Sequence, residues 1–118
     1  MKVAGVAALL VAKLHKISER VDKPRRLNDK DAHDIYRVMI DSETEELAER
    51  FLPLLGDPIS SGPTKEALQH LYDLFAVGPS ATGSAMAGRA EEGIGEPETV
   101  ALAVSLLAAD VLAAIEAR

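Results

Sequence analysis

Apolar residues recur every three or four positions along almost the whole chain, and almost nowhere do they alternate singly with polar residues. The first spacing marks one face of a helix and the second a half-buried strand, so the pattern confines the chain to helices. Val3, Val6, Leu10, Leu14, Ile17 and Val21 share one side of a first helix running from Val3 to about Val21. Asp22-Lys23-Pro24 ends it, because proline disfavours helical geometry in the residue before it and supplies no backbone donor.

The same reading places the other helices. Asn28 is an N-cap, Asp29 and Asp31 put negative charge in a first turn, and Ala32, Ile35, Tyr36, Met39 and Ile40 mark the face of a second helix. Asp41 or Ser42 caps a third helix, with Leu47, Phe51, Leu54 and Leu55 inward and Gly56 and Pro58 as its stop. Ser60-Ser61-Gly62-Pro63 reads as a loop, and a fourth helix follows from Thr64 to Val77, closed by Gly78-Pro79. Ser80 to about Glu92 is a shorter helix of small residues, in which Gly83, Ala87 and Ala90 allow another helix to approach closely. A last helix, from about Glu98 to Ala117, is opened by Pro97 and is apolar on nearly every side except at Ser105 and Asp110. Such a helix lies centrally, or it meets another copy or another domain. The expected architecture is an all-α, compact orthogonal or up-down bundle of about five to six helices, with residues 1–118 forming one domain.

Composition excludes several functions. There is no cysteine, so disulfides, thiolate zinc sites and cysteine nucleophiles are ruled out, which suits a reducing cytoplasm. A net charge of −6 and a pI near 5.0 oppose non-specific binding to nucleic acid. The apolar run from Val3 to Ala12 stops at Lys13, His15 and Lys16, short of the roughly 20 residues of a membrane span. It also lacks the pattern of a secretory leader, and a cytoplasmic location without membrane contact is expected. His15, His33 and His70 have no i, i+4 partner; His15 and His33 fall on outer helix sides and His70 is isolated, so no histidine metal site is expected. No Gly-x-Ser-x-Gly elbow or phosphate loop ending in Gly-Lys-Ser/Thr occurs, and Gly83 to Arg89 reads as close helix packing.

Two charges stand out by position. On a wheel of about 100° per residue, Lys13 borders the apolar face of the first helix, and Asp31 sits inside that of the second. A carboxylate drawn toward a core needs a cation or donors to meet it, so Asp31 is expected to meet Lys13 or Lys16, with Asp34 at the rim and Lys16 and Arg20 continuing a basic edge that could hold an anion. A plainer account stands beside this one. Asp31 lies where an acid favours a helix start, Lys13 can extend its ammonium to water, and Lys16 and Arg20 can form a solvated face.

The stretch Ala12-Lys13-Leu14-His15-Lys16-Ile17 with Arg20, followed by Lys30-Asp31-Ala32-His33-Asp34-Ile35-Tyr36, resembles the part of AbiEii-type nucleotidyltransferase-fold proteins that follows their catalytic sheet. That family includes toxins of toxin–antitoxin and phage-defence pairs. The resemblance covers about 35 residues, and implies active-site roles for Lys13, Asp31 and Asp34. The family's transfer chemistry also depends on an upstream Gly-Ser strand–turn and a pair of metal-holding carboxylates that this chain lacks, because metal-assisted nucleotidyl transfer needs that pair to hold the cation against the triphosphate. The expected role is therefore an accessory helical domain with no activity and no cofactor of its own, magnesium entering only if another chain completes the site. Asp31 and Asp34 alone would offer magnesium two oxygen ligands, while magnesium commonly leans on substrate phosphates. The expected partners are a missing N-terminal catalytic domain or a second copy. The other expectation is a small helical protein-interaction or homodimerisation module.

Overall fold

Leu10, Leu14 and Ile17 are buried along one side of the first helix, and the same three-and-four spacing buries one face of each helix that follows. The computed structural model describes residues 5–21, 23 and 29–118. Among these, six α-helices appear and no strand: α1 (Gly5–Arg20), α2 (Asp29–Ile40), α3 (Thr44–Gly56), α4 (Ser61–Leu71), α5 (Thr82–Arg89) and α6 (Pro97–Glu116). The expected all-α bundle is what forms. The Cα radius of gyration is 13.4 Å, close to the ~13.5 Å of a single globule of this length. Val3, the Asn28 cap and the Asp22 and Pro24 break lie outside the described residues.

The bundle has two halves that share α2 and α3. On one side α1 packs on α2, α3 and α4; on the other α6 packs on α5, α3 and α2. Phe51 of α3, Phe75 after α4, Leu14 and Ile17 of α1, Ile35 of α2, Met86 of α5, and Val104 and Val111 of α6 fill the middle and are almost wholly excluded from water. Each such side chain contributes roughly 1.5–3 kcal/mol by burial, which is how a chain without disulfides holds its shape.

Several boundaries differ from expectation. Ser61, Gly62 and Pro63 form the first turn of α4 rather than a loop. Proline is tolerated there because the first backbone N–H groups of a helix have no intrahelical partner. Neither Asp41 nor Ser42 caps α3: the residue before it is Glu43, which makes no side-chain cap bond, and the Ser42 hydroxyl donates to the Val38 carbonyl at 2.8 Å. The fifth helix is shorter than expected, spanning Thr82–Arg89.

The fourth helix does reach the Val77 region, but in a changed form. After Leu71 it widens into a π-helical turn, Tyr72–Ala76, closed by an i to i+5 bond from the Val77 N–H to the Tyr72 carbonyl (3.2 Å). The wider ring turns two carbonyls sideways. The buried Ser84 hydroxyl of α5 donates to the Phe75 carbonyl at 3.0 Å, and the Ser105 hydroxyl of α6 reaches the Ala76 carbonyl at 3.5 Å. One turn thus joins three helices.

Glycine lets α5 approach both that turn and α6 closely, as the small-residue pattern predicts. A Cβ placed on Gly83 would lie 2.6 Å from a Phe75 ring carbon and 2.8 Å from the Leu74 carbonyl oxygen, and one on Gly88 would lie 2.6 Å from the Pro97 carbonyl oxygen. Neither position has room for a side chain.

Candidate functional site: the seam between the first two helices

Lys13 and Lys16 stand one turn apart on α1, and Asp31 and Asp34 stand one turn apart on α2, so each pair presents like charges on one helix side. When the two sides meet, the charges interlock. The Lys13 ammonium lies 3.3 Å from Asp31 Oδ1 and 3.1 Å from Asp34 Oδ2, bridging the two carboxylates. Lys16 Nζ sits 3.0 Å from Asp31 Oδ2 and donates to Asp31 Oδ1 at 3.2 Å. Asp31 therefore meets both lysines that the helix-wheel reading offered as its alternatives. Lys30, one turn before Asp34 on α2, places its ammonium 3.0 Å from Asp34 Oδ2.

Burial falls away from the centre of this cluster. The Asp31 side chain is 7 % exposed, whereas that of Lys16 is 41 % exposed and that of Lys30 75 % exposed. The innermost group thus carries the largest desolvation penalty, and it is the one that receives two ammoniums. Partial burial pulls the Lys13 pKa down, but the hydrogen bonds donated to Asp34 and Asp31, and the charges of those carboxylates, outweigh it and hold the pKa above its ordinary 10.5. For Asp34 burial acts upward, yet the hydrogen bonds and charges of Lys30 and Lys13 prevail and hold its pKa below the ordinary 3.8. Both groups stay charged across the neutral range.

This arrangement limits what the site can do chemically. A general base needs a lone pair free to take a proton, and a magnesium site needs carboxylate oxygens free to face the cation. Here both oxygens of Asp31 are occupied by ammoniums, and the Oδ2 atom of Asp34 is shared by two. Lys13 stands between the carboxylates where a metal would have to enter. The residues present do not fit magnesium, and among the described residues no group of three histidine or acidic side chains is placed to hold a metal ion.

Arg20, the last residue of α1, stands apart from this cluster. Among the described residues it forms no ion pair with Asp31 or Asp34, which lie nearer the middle of α1. The histidines also differ from expectation. His15 is half-buried, its Nε2 lies 2.9 Å from the Pro63 carbonyl oxygen, and its ring stands edge-on to His70 with centroids 5.4 Å apart. His33 is half-buried too and meets the Glu91 carboxylate. A wheel for one helix puts both on outer faces and leaves His70 alone, because it does not register the neighbouring helix that covers them.

The opposite side of α2 carries contacts that local spacing did not suggest. Asp29 accepts two hydrogen bonds from the Arg89 guanidinium, from Nε at 3.2 Å and Nη2 at 3.0 Å, and His33 meets Glu91 one helical turn further on. Asp29 and His33 thereby fix α2 to the end of α5, while Asp31 and Asp34 fix it to α1. The second helix is a polar hub with two working sides.

Comparison of the chain with protein families, with curated proteins and with solved structures gives no match.

Proposed function

We propose that this chain is an accessory helical domain of the nucleotidyltransferase-like kind, acting through contacts with other molecules and performing no chemistry itself. The observation that carries the reading is the Lys13 ammonium shared between Asp31 and Asp34. The three residues singled out by the family resemblance do converge across one seam, which supports a common ancestry of this helix pair. They converge as a self-neutralising ion cluster, which supports a structural use. A lysine that bridges two carboxylates keeps α1 and α2 in register and stands where a metal–triphosphate would have to enter between them.

Two measurements test the two halves of this reading. Thermal unfolding with millimolar nucleoside triphosphate and magnesium is expected to leave the midpoint unchanged. A ligand held at about a hundred times its Kd would add ~2.7 kcal/mol, a shift of many degrees for a chain this size. A rise in midpoint that the Lys13→Met variant abolishes would overturn the non-catalytic assignment. The family half is tested by the genomic sequence upstream of Met1. An in-frame Gly-Ser segment followed by Asp-x-Asp supports it, and unrelated sequence there counts against it.

A further inference from the structure

The last helix has two unlike faces. Val104, Ala108 and Val111 are buried in the core, whereas Leu102 and Leu106 are 49 % and 57 % exposed and Ala109 and Ala113 continue the exposed side. At about 100° per residue these four outward residues fall within about 60° of one another, a straight apolar stripe some three turns long. Its borders are acidic: Glu98 and Glu116 flank one edge, Asp110 flanks the other, and Pro97–Glu116 holds no lysine, arginine or histidine. Beside the Glu116 edge, Leu112, Ile115 and Tyr72 help line an open cleft of about 410 Å³.

We propose that this face of α6 docks an amphipathic helix of a protein partner whose apolar seam is flanked by lysine or arginine. Helix-in-groove recognition uses anchors spaced as these leucines and alanines are, and the two alanines allow a partner backbone to come near while the leucines supply burial. Charge selects the partner. Pairing with a second copy, parallel or antiparallel, brings the Glu98, Asp110 and Glu116 set of one chain against the same set of the other, and like charges across an interface cost affinity. An anionic lipid surface meets the same repulsion. Basic flanks on a partner helix turn all three acids into attractions. The inference rests on the reading of the chain as a contact domain, and its test has a separate readout: a nucleotide–magnesium effect that depends on Lys13 would remove that reading and leave the peptide outcomes below standing.

The probes are two fluorescent peptides of about 18 residues, five helical turns, with the same leucine–alanine seam and either lysine or glutamate on the flanks. Anisotropy with the full chain is expected to give saturable binding of the lysine peptide, with the glutamate peptide weaker by roughly tenfold or more. Leu106→Glu separates docking from plain charge attraction. Because that variant adds a negative charge, general attraction would tighten binding of the lysine peptide, whereas docking on the stripe weakens it by roughly tenfold. Leu106 is exposed, so the thermal midpoint is expected to stay unchanged and to certify the fold. Equal binding of the two peptides, or unchanged or tighter binding by Leu106→Glu, overturns the proposal. So does self-association in sedimentation that Leu106→Glu removes, which would give the face to a second copy, and so does binding to phosphatidylserine vesicles lost in the same variant.

Discussion

The seam between α1 and α2 and the corner where the π-turn meets α5 and α6 solve one problem, joining helices, by opposite means. At the seam, full charges face each other at 3.0 to 3.3 Å, and the outer lysines stay in contact with water. At the corner the joining contacts are uncharged: Gly83 lies against the Phe75 ring, and serine hydroxyls serve two carbonyls. The difference follows from depth. Ser84 is fully buried, and a neutral hydroxyl with one good acceptor can be taken out of water at a small penalty that an ion cannot match. Ions work at the seam because most of them remain partly solvated, and there they give alignment more than stability.

If shape governs the corner and charge the seam, the corner should be the more fragile. Gly83→Ala is expected to destabilise by about 2–3 kcal/mol, because its new methyl meets a ring and a backbone oxygen that cannot both retreat. Urea unfolding measures this, and a loss no larger than a surface alanine causes would refute the shape account. Asp31→Ala should cost less, about 2 kcal/mol, since it leaves Lys13 with Asp34 and strands only Lys16, which has a path to water. Combined with Lys13→Met, the losses should fall short of their sum, and strict additivity would mean that the two side chains do not interact.

The smallest effect lies in pH, through Asp34 and Lys13. The depressed pKa of Asp34 means that its contribution is complete above its unfolded value of 3.8 and is lost as pH falls through the lower folded value. The raised pKa of Lys13 means that its contribution is complete below 10.5 and is lost as pH rises through the higher folded value. The stability difference between the native chain and Asp34→Asn should therefore be flat between about pH 5 and 9, at most ~1 kcal/mol for a partly solvated ion pair, and should shrink in acid. A difference that varies through neutrality would show that another group controls the seam.

How much of this was legible in the sequence depends on how far apart the interacting residues lie. The helices and the Lys13–Asp31 contact follow from periodicity, because both charges intrude on apolar faces of consecutive helices, where each needs an opposite charge to meet it. Arg89 and Asp29 are 60 positions apart, and no local pattern announces their bond. The same holds for His33 and Glu91. Ser61 to Pro63 reads as a loop in sequence because serine, glycine and proline are shared by loops and helix first turns, and only the packing of α4 on α1 separates the two. The π-turn left no trace, since the serines that support it come from two other helices.

That turn makes residue count, rather than residue kind, decide the heading of everything that follows it. A ring closed from Val77 to Tyr72 encloses one residue more than an ordinary helical ring. Shortening the segment by one would let regular bonding resume without a gap, yet the exit toward Gly78 would swing by about 100°. The final third of the molecule would then set out in the wrong direction, and the two serines would reach for carbonyls no longer beneath them.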